Sequence, residues 1–340
     1  MVGEYNIVVE TSNYDRPLRY EFTICRRFTV ITGNSGTGKT SLYEIISDFQ
    51  RNRGIAKCIV NGVLNNDFLT VLQGKYELEL PLIHNQIVLF DEGDEFIESP
   101  DFARISNMGD FYIMVITRSI IKGCPYSVDD VLRIQSEYRD DIIINQLVKC
   151  YNTDKYDNCP FVPNIVITED SKSAFTMIQP LVNDITIVPA GGKDSLPEFL
   201  RIKNEVHNKI FVLADGAAFG SVYRSIIEAK CNCQLYFCLP ESFERVLLES
   251  YLFIDLISDE LTHTFNYADS TKFLTWERYY TSLVNSLIKI IDHGTGYKKG
   301  RINRVFKTDE FREYLKNYFK SICDVNDSDV IEVANQLDVF

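Results

Sequence analysis

Short apolar runs separated by polar turns dominate the chain, and their spacing predicts strands alternating with helices. Two strand-like runs open it, Tyr5–Glu10 and Leu18–Cys25, and the turn-forming SNYDRP between them predicts a hairpin. A third run, Phe28–Thr32, leads into a glycine-rich loop, after which Leu42, Ile45, Ile46 and Phe49 recur at helical spacing. Further apolar runs stand at Cys58–Val60, Ile87–Phe90 and Tyr112–Thr117. Runs that are apolar throughout and alternate with helices point to a parallel sheet covered by helices.

The tract YNTDKYDNCPFVPN, Tyr151 to Asn164, holds two prolines and many turn formers and reads as a linker. Beyond it the same grammar returns. Strands are expected at Asn164–Thr168, Ile185–Pro189, Ile210–Ala214 and Gln234–Leu239, with helices at Lys172–Val182, Leu196–Asn204 and Phe219–Lys230. After Glu241 the chain turns helical to Phe253, and again at Lys272–Ile291 and Thr308–Ser321, with a softer break near Asp292 to Gly300. The expected organisation is α/β: a first domain over 1–150, a linker over 151–163, a smaller α/β domain over 164–255 and a helical extension over 256–340. The last stretch, Asp324 to Phe340, has acidic residues and no basic ones, and reads as a frayed tail or a short docked helix.

Composition narrows the class. Of 340 residues, 45% are hydrophobic and 24% charged, which excludes a mostly disordered chain. No run of about 18 apolar residues predicts a membrane span. The start lacks the basic and apolar regions of a signal peptide, so a cytoplasmic protein is expected. A net charge of −13 opposes indiscriminate coating of nucleic acid but leaves room for a local basic groove. The nine cysteines form no CxxC pair. Only Cys231, Cys233 and Cys238 cluster, with no His within twenty residues, so reduced buried thiols are expected rather than a zinc site.

Candidate chemistry begins at Gly33-Asn34-Ser35-Gly36-Thr37-Gly38-Lys39-Thr40, which fits G-x-x-x-x-G-K-[ST], with Ser41 next to it as a further candidate for cofactor binding. Glycines would let consecutive N–H groups face phosphate oxygens, Lys39 would reach the β/γ phosphates, Thr40 would ligate Mg²⁺ and the following helix would add its positive end. Ile87–Phe90 delivers two carboxylates to a strand end: Asp91 for the Mg²⁺ shell and Glu92 to polarise an attacking water. Asp94, Glu95 and Glu98 read as a solvated loop. Tyr112–Thr117 ends at Thr117, which can position water, and Arg118, which can sense γ-phosphate or simply lie on the surface. These residues resemble the P-loop ATPases that carry an added catalytic glutamate, and FTVITGNSGTGKTSL with its preceding hairpin resembles ABC and AAA ATPase cores. Two departures stand out: the interval between the two motifs is too short for an ABC helical subdomain, and no LSGGQ-like signature precedes Asp91.

In the second domain Glu169, Asp215 and Glu241 each follow an apolar run. Parallel strands would bring them to one edge, where carboxylates hold Mg²⁺ or Mn²⁺ for phosphodiester cleavage, or serve simply as helix caps. This order resembles the TOPRIM domain. Glu169 matches that family's Glu after the first strand, Asp215 matches the first Asp of its Asp-x-Asp, and Gly191-Gly192 matches its small turn. Position 217 is Ala, so one ligand of the family is missing, and either Glu241 or Glu244 takes its place or the site is inactive. A P-loop ATPase followed by TOPRIM is the layout of the overcoming-lysogenisation-defect proteins. That resemblance implies an ATP·Mg²⁺-controlled nuclease in antiphage defence, acting as a homo-oligomer or with a partner protein. DNA or RNA would be held by the acid-free stretch carrying Lys298, Lys299, Arg301, Arg304 and Lys307, which also reads as the wet face of a connection. Two alternatives remain: an ATP-controlled sensor or scaffold with an inactive TOPRIM-like domain, and an ATPase whose second domain only docks a partner.

Overall fold

A computed structural model of the protein describes residues 1–11, 17–51, 55–72, 74, 76–121, 123–139, 142–151, 159–228, 232–292 and 296–323. The expectations for the hairpin tip, most of the linker, Cys231 and the acidic tract 324–340 fall outside these residues. The fold is mixed α/β and divides into two compact units. One comprises Met1–Asn152, Ala217–Ser221 and Ile257–Tyr279. The other comprises Thr153–Gly216, Val222–Leu256 and Tyr280–Phe340. The stretch expected as a helical extension is therefore shared, Ile257–Tyr279 belonging to the first unit.

In the first unit ten strands form one sheet: β1 (Tyr5–Thr11), β2 (Leu18–Ile24), β3 (Phe28–Thr32), β4 (Ala56–Val60), β5 (Val63–Leu64), β6 (Leu69–Val71), β7 (His84–Phe90), β8 (Asp110–Ile116), β9 (Val131–Arg139) and β10 (Ile142–Lys149), in the order β5-β4-β1-β2-β10-β9-β3-β8-β7-β6. The expected hairpin is β1 against β2, antiparallel. The wholly parallel sheet is corrected to a mixed one. β3, β8, β7 and β6 run parallel, while β9 and β10 form an antiparallel ribbon that joins this core to the hairpin, β9 pairing β3 and β10 pairing β2 in parallel. The expected strands omit that ribbon: β9 is exposed and mostly polar from Gln135 on, and in β10 the half-buried apolar residues Ile142–Ile144 and Leu147–Val148 are separated by Asn145 and Gln146.

The continuous apolar runs have the physical meaning expected of them. Successive side chains of a strand point to opposite faces, so a run apolar at every position feeds two cores. Ile87, Leu89, Tyr112, Met114 and Ile116 join Leu42, Ile45, Ile46 and Phe49 of the helix Lys39–Arg51 on one side. Val88, Phe90, Phe111, Ile113 and Val115 join Phe102 and Ile105 of the helix Pro100–Ser106 on the other. The late segment is tied in by two arginines after β2. Arg27 is buried and donates to the carbonyls of Ser106 (2.8 Å), Ser270 (2.9 Å) and Gly109, and burial pushes its guanidinium down to about 10. Arg26 lies 3.8 Å over the Trp276 ring.

The second unit is built on a four-stranded, all-parallel sheet: β11 (Ile165–Thr168), β12 (Thr186–Pro189), β13 (Lys209–Leu213) and β14 (Gln234–Cys238), ordered β12-β11-β13-β14. The chain leaves β11 toward β12 on one side and leaves β13 toward β14 on the other. The loops after β11 and β13 thus diverge and open a crevice at their carboxyl ends. Helices expected after Glu241 and over Lys272–Ile291 appear as Phe243–Leu248 and Trp276–Ile291.

Candidate functional site

The first candidate site lies at the carboxyl edge of β3, β8 and β7. Pairing of Ile31 with Ile116 and of Phe90 with Val115 brings Gly33, Thr117 and Asp91 to one level. Gly33, Gly36 and Gly38 all have φ between +80° and +128°, a region side chains resist, so the loop wraps back on itself. Lys39 is buried, and its Nζ donates to Gly33 O (2.8 Å), Asn34 O (2.6 Å) and Thr37 Oγ1 (3.1 Å). Burial first, then Arg118, lowers its pKa, while Glu92 and Asp91 act to raise it. Arg118 Nη2 stands 3.2 Å from Glu92 Oε1. Asp91 Oδ1 is shielded from solvent and accepts no hydrogen bond, and burial raises its carboxyl above the usual range. Thr40 is exposed on the first helical turn, and Thr117 is buried at the end of its strand.

Tyr20 of β2 carries no motif signal, yet it buttresses this loop. Its hydroxyl donates to Gly38 O at 2.8 Å and bonds the Ser41 side chain, and burial pushes the phenol up to about 12. A Cβ on Gly38 would stand 3.1 Å from that hydroxyl.

The second candidate site is the crevice after β11 and β13. It is a cavity of about 30 Å³ lined by Glu169, Lys172, Ser173, Asp215, Glu244 and Lys299 among others. Each carboxylate commits one oxygen to the fold. Glu169 Oε2 accepts from Asp215 N (3.2 Å), Asp215 Oδ1 from Phe243 N (2.8 Å), and Glu244 Oε1 from the Tyr297 hydroxyl (2.7 Å). The other oxygens of two of them face one ammonium: Lys299 Nζ is 3.3 Å from Glu244 Oε2 and 3.7 Å from Asp215 Oδ2. Glu244 is fully buried, and its Oε2 accepts no hydrogen bond. The buried Tyr297 hydroxyl also bonds Ser173 Oγ at 2.6 Å, and desolvation, with the Glu244 charge behind it, drives the phenol far above its ordinary pKa.

Two glycine features build this crevice. Gly191 and Gly192 have φ of +89° and +123°, and the turn they make brings Gly192 N within 2.7 Å of Glu169 O. Gly216 N donates to Pro240 O at 2.7 Å, and a Cβ there would stand 2.8 Å from Leu239 O, so only glycine lets these backbones approach.

Comparison with known proteins gives no match: no family model, no curated protein and no solved structure matches this chain. The site must be read on its own geometry.

The structure brings Glu169 and Asp215 together as the sequence suggested. Glu241 does not join them. It is buried, its charge acts on Arg245, and it is not among the residues lining the crevice. Ser242 caps the helix Phe243–Leu248, and Glu244, inside that helix's first turn, faces the cavity instead. Ala217 is buried and lines a separate small cavity of the first unit with Arg27 and Tyr126. The basic stretch divides: Lys299 enters the crevice, Arg304 pairs with Asp292, and Lys298, Arg301 and Lys307 are exposed. Asp215 also serves the capping role weighed for it, through Phe243 N.

The donor sets suit hard cations. A shielded Asp91 oxygen that accepts no hydrogen bond, with its charge acting on Lys39 of the glycine loop, fits Mg²⁺, and three carboxylates, one with an oxygen that meets the Lys299 ammonium, fit Mg²⁺ or Mn²⁺. Among the described residues, however, no three His, Cys, Asp or Glu side chains are placed to hold a metal ion by themselves.

Proposed function

We propose that the chain binds ATP·Mg²⁺ at the loop Gly33–Ser41 and that nucleotide state controls a metal-dependent nucleic-acid phosphodiesterase centred on Glu169 and Asp215. The observation that carries this reading is the meeting of Glu169, Asp215 and Glu244 in one crevice at the ends of adjacent parallel strands. At the first site Lys39 and the loop N–H groups would hold the β/γ phosphates, with Asp91 and Thr40 on Mg²⁺. Glu92 would take a proton from the attacking water as the terminal phosphoryl group leaves ADP. Arg118, which now holds Glu92, would have to release it for that step. At the second site a divalent ion would activate water and stabilise the leaving oxygen. Here Glu169, Asp215 and Glu244 would orient the ion, and exposed Lys298 and Arg301 would meet the phosphate backbone. No helix among the described residues is long and apolar enough to cross a membrane.

The test is nicking of supercoiled plasmid and cleavage of a labelled RNA with Mg²⁺ or Mn²⁺, with and without ATP, in wild type, Glu169→Ala and Asp215→Ala. Cleavage that both variants lose, and that ATP changes in rate, is expected. No cleavage of either substrate under any condition would overturn the nuclease and leave the second reading, an ATP-controlled binding module. Lys299 in the crevice and Ala217 at the family's ligand position are what favour that alternative.

A further inference from the structure

Lys299 is held in the crevice by more than charge. Residues Lys298 to Arg301 form a tight turn, with Arg301 N donating to Lys298 O at 3.1 Å and Gly300 at φ +81°. Positive φ at the third residue and a lysine at the second make this a type II pattern, which sets Lys299 at the tip. Gly300 is required by its backbone angle, because a Cβ there would meet Lys172 only at ordinary contact distance. Tyr297, at the foot of the turn, is clamped by Ser173, Glu244 and Asn285, the last through its backbone N–H at 3.0 Å. The same phenol that anchors the turn therefore also fixes Glu244, the carboxylate that the turn's lysine faces.

We infer that Lys299 is a resident counter-ion that occupies the carboxylate crevice in place of a divalent cation and must withdraw before one enters. This rests on the proposed metal reading of the crevice. An ammonium is a compact point charge whose three donors suit converging carboxylates. Divalent ions approach carboxylate oxygens at about 2.0–2.6 Å, and the two oxygens a metal would need, Glu244 Oε2 and Asp215 Oδ2, are those within 4 Å of Nζ. The ion and the ammonium cannot share them. Crevice and turn thus form a two-state element. In one state, the one observed, the lysine faces the buried Glu244 and neutralises it. In the other the turn has lifted and the carboxylates close on the ion. Lys298, exposed beside Lys299 on the same turn, is placed where a nucleic-acid phosphate would contact the turn.

Mn²⁺ titration followed by electron paramagnetic resonance, without nucleotide, tests this in wild type, Lys299→Met, Lys299→Gln, Lys299→Arg and Lys299→Met combined with Asp215→Asn. Loss of the competing charge should tighten Mn²⁺ binding in the Met and Gln variants by at least about tenfold, the weight of one neighbouring charge on a carboxylate. The Arg variant should stay near wild type, and the added Asp215→Asn should abolish the gain. Urea midpoints establish that each variant is folded. Equal or weaker Mn²⁺ binding in folded Met and Gln variants would overturn the counter-ion role alone. No Mn²⁺ binding by any variant would overturn the metal reading of the crevice together with it.

Discussion

The two strand-end sites solve the same electrostatic problem with different chain economies. Both gather carboxylates at the carboxyl edge of parallel strands and set a lysine among them. In the glycine loop Gly33–Ser41 the lysine is local: Lys39 bonds the carbonyls of Gly33 and Asn34, six and five residues away. In the crevice everything is distant. Glu169 meets an N–H 46 residues on, and Ser173 meets a phenol 124 residues on. The loop that holds Lys39 is written in one stretch, although the carboxylates near it come from the end of β7. The dispersed site exists only when the sheet, the helix Phe243–Leu248 and the turn at Lys299 are all in place, so its geometry is a property of the unit's stability.

The largest test of that contrast is Lys39→Ala. Removing a charged donor to phosphate should weaken nucleotide binding by about 10- to 150-fold, as expected for a charged hydrogen bond of roughly 1.5–3 kcal/mol. Titration with a fluorescent ATP analogue reads this, while Mn²⁺ binding at the crevice should be unchanged. A loss at both sites would break the contrast. Next come two glycines that serve different ends. Gly216→Ala pushes a Cβ against the Leu239 carbonyl and should cost about 2–3 kcal/mol by urea denaturation. Gly36→Ala has no neighbour within 4 Å and only its φ of +80° to oppose it, so about 1 kcal/mol is expected. Equal costs would mean that space, the ground for separating them, is not what distinguishes the two sites.

Tyr297→Phe leaves Glu244 Oε1 and Ser173 Oγ without the phenol and should cost about 1–3 kcal/mol in urea midpoint terms. Arg118→Ala removes a half-exposed pair and should change stability by less than about 1 kcal/mol. Its effect should appear in ATP turnover, and unchanged turnover would show that the Glu92 contact is incidental. The smallest effect is in pH. The raised Asp91 carboxyl keeps its proton in the folded protein to higher pH than in the unfolded chain. Its contribution to stability is full below the unfolded pKa and is lost as pH rises through the folded one. Mg²⁺ competes with that proton, so Mg²⁺-dependent ATP binding should weaken as pH falls through the same range. Asp91→Asn should flatten the profile, and a profile unchanged by that substitution would remove Asp91 from the metal site.

Much of this was legible in the chain. The apolar runs located β3, β7, β8, β11 and β13, because strands buried on both faces must be apolar at nearly every position, and they also located β12 and β14, which lie mostly half-buried at the edges of their sheet. The glycine loop Gly33–Ser41 was legible because its residues are consecutive. The β9–β10 ribbon was not, since β9 is exposed and mostly polar from Gln135 on, and the apolar residues of β10 are half-buried and interrupted by Asn145 and Gln146. Nor was Tyr20 beneath Gly38, or the choice of Glu244 over Glu241, which depends on where Ser242 starts a helix. The residue whose reading changed most is Lys299. In sequence it is one of five basic residues in an acid-free stretch, and only the turn at Gly300 and the clamp on Tyr297 aim it inward at Asp215 and Glu244. Sequence by itself determined the strands that carry apolar runs and the contiguous glycine loop, because burial and backbone conformation are local demands on residue type. Tertiary structure decided which charges meet, because opposite charges far apart in the chain carry no mark of their partners until the fold brings them within a few ångströms.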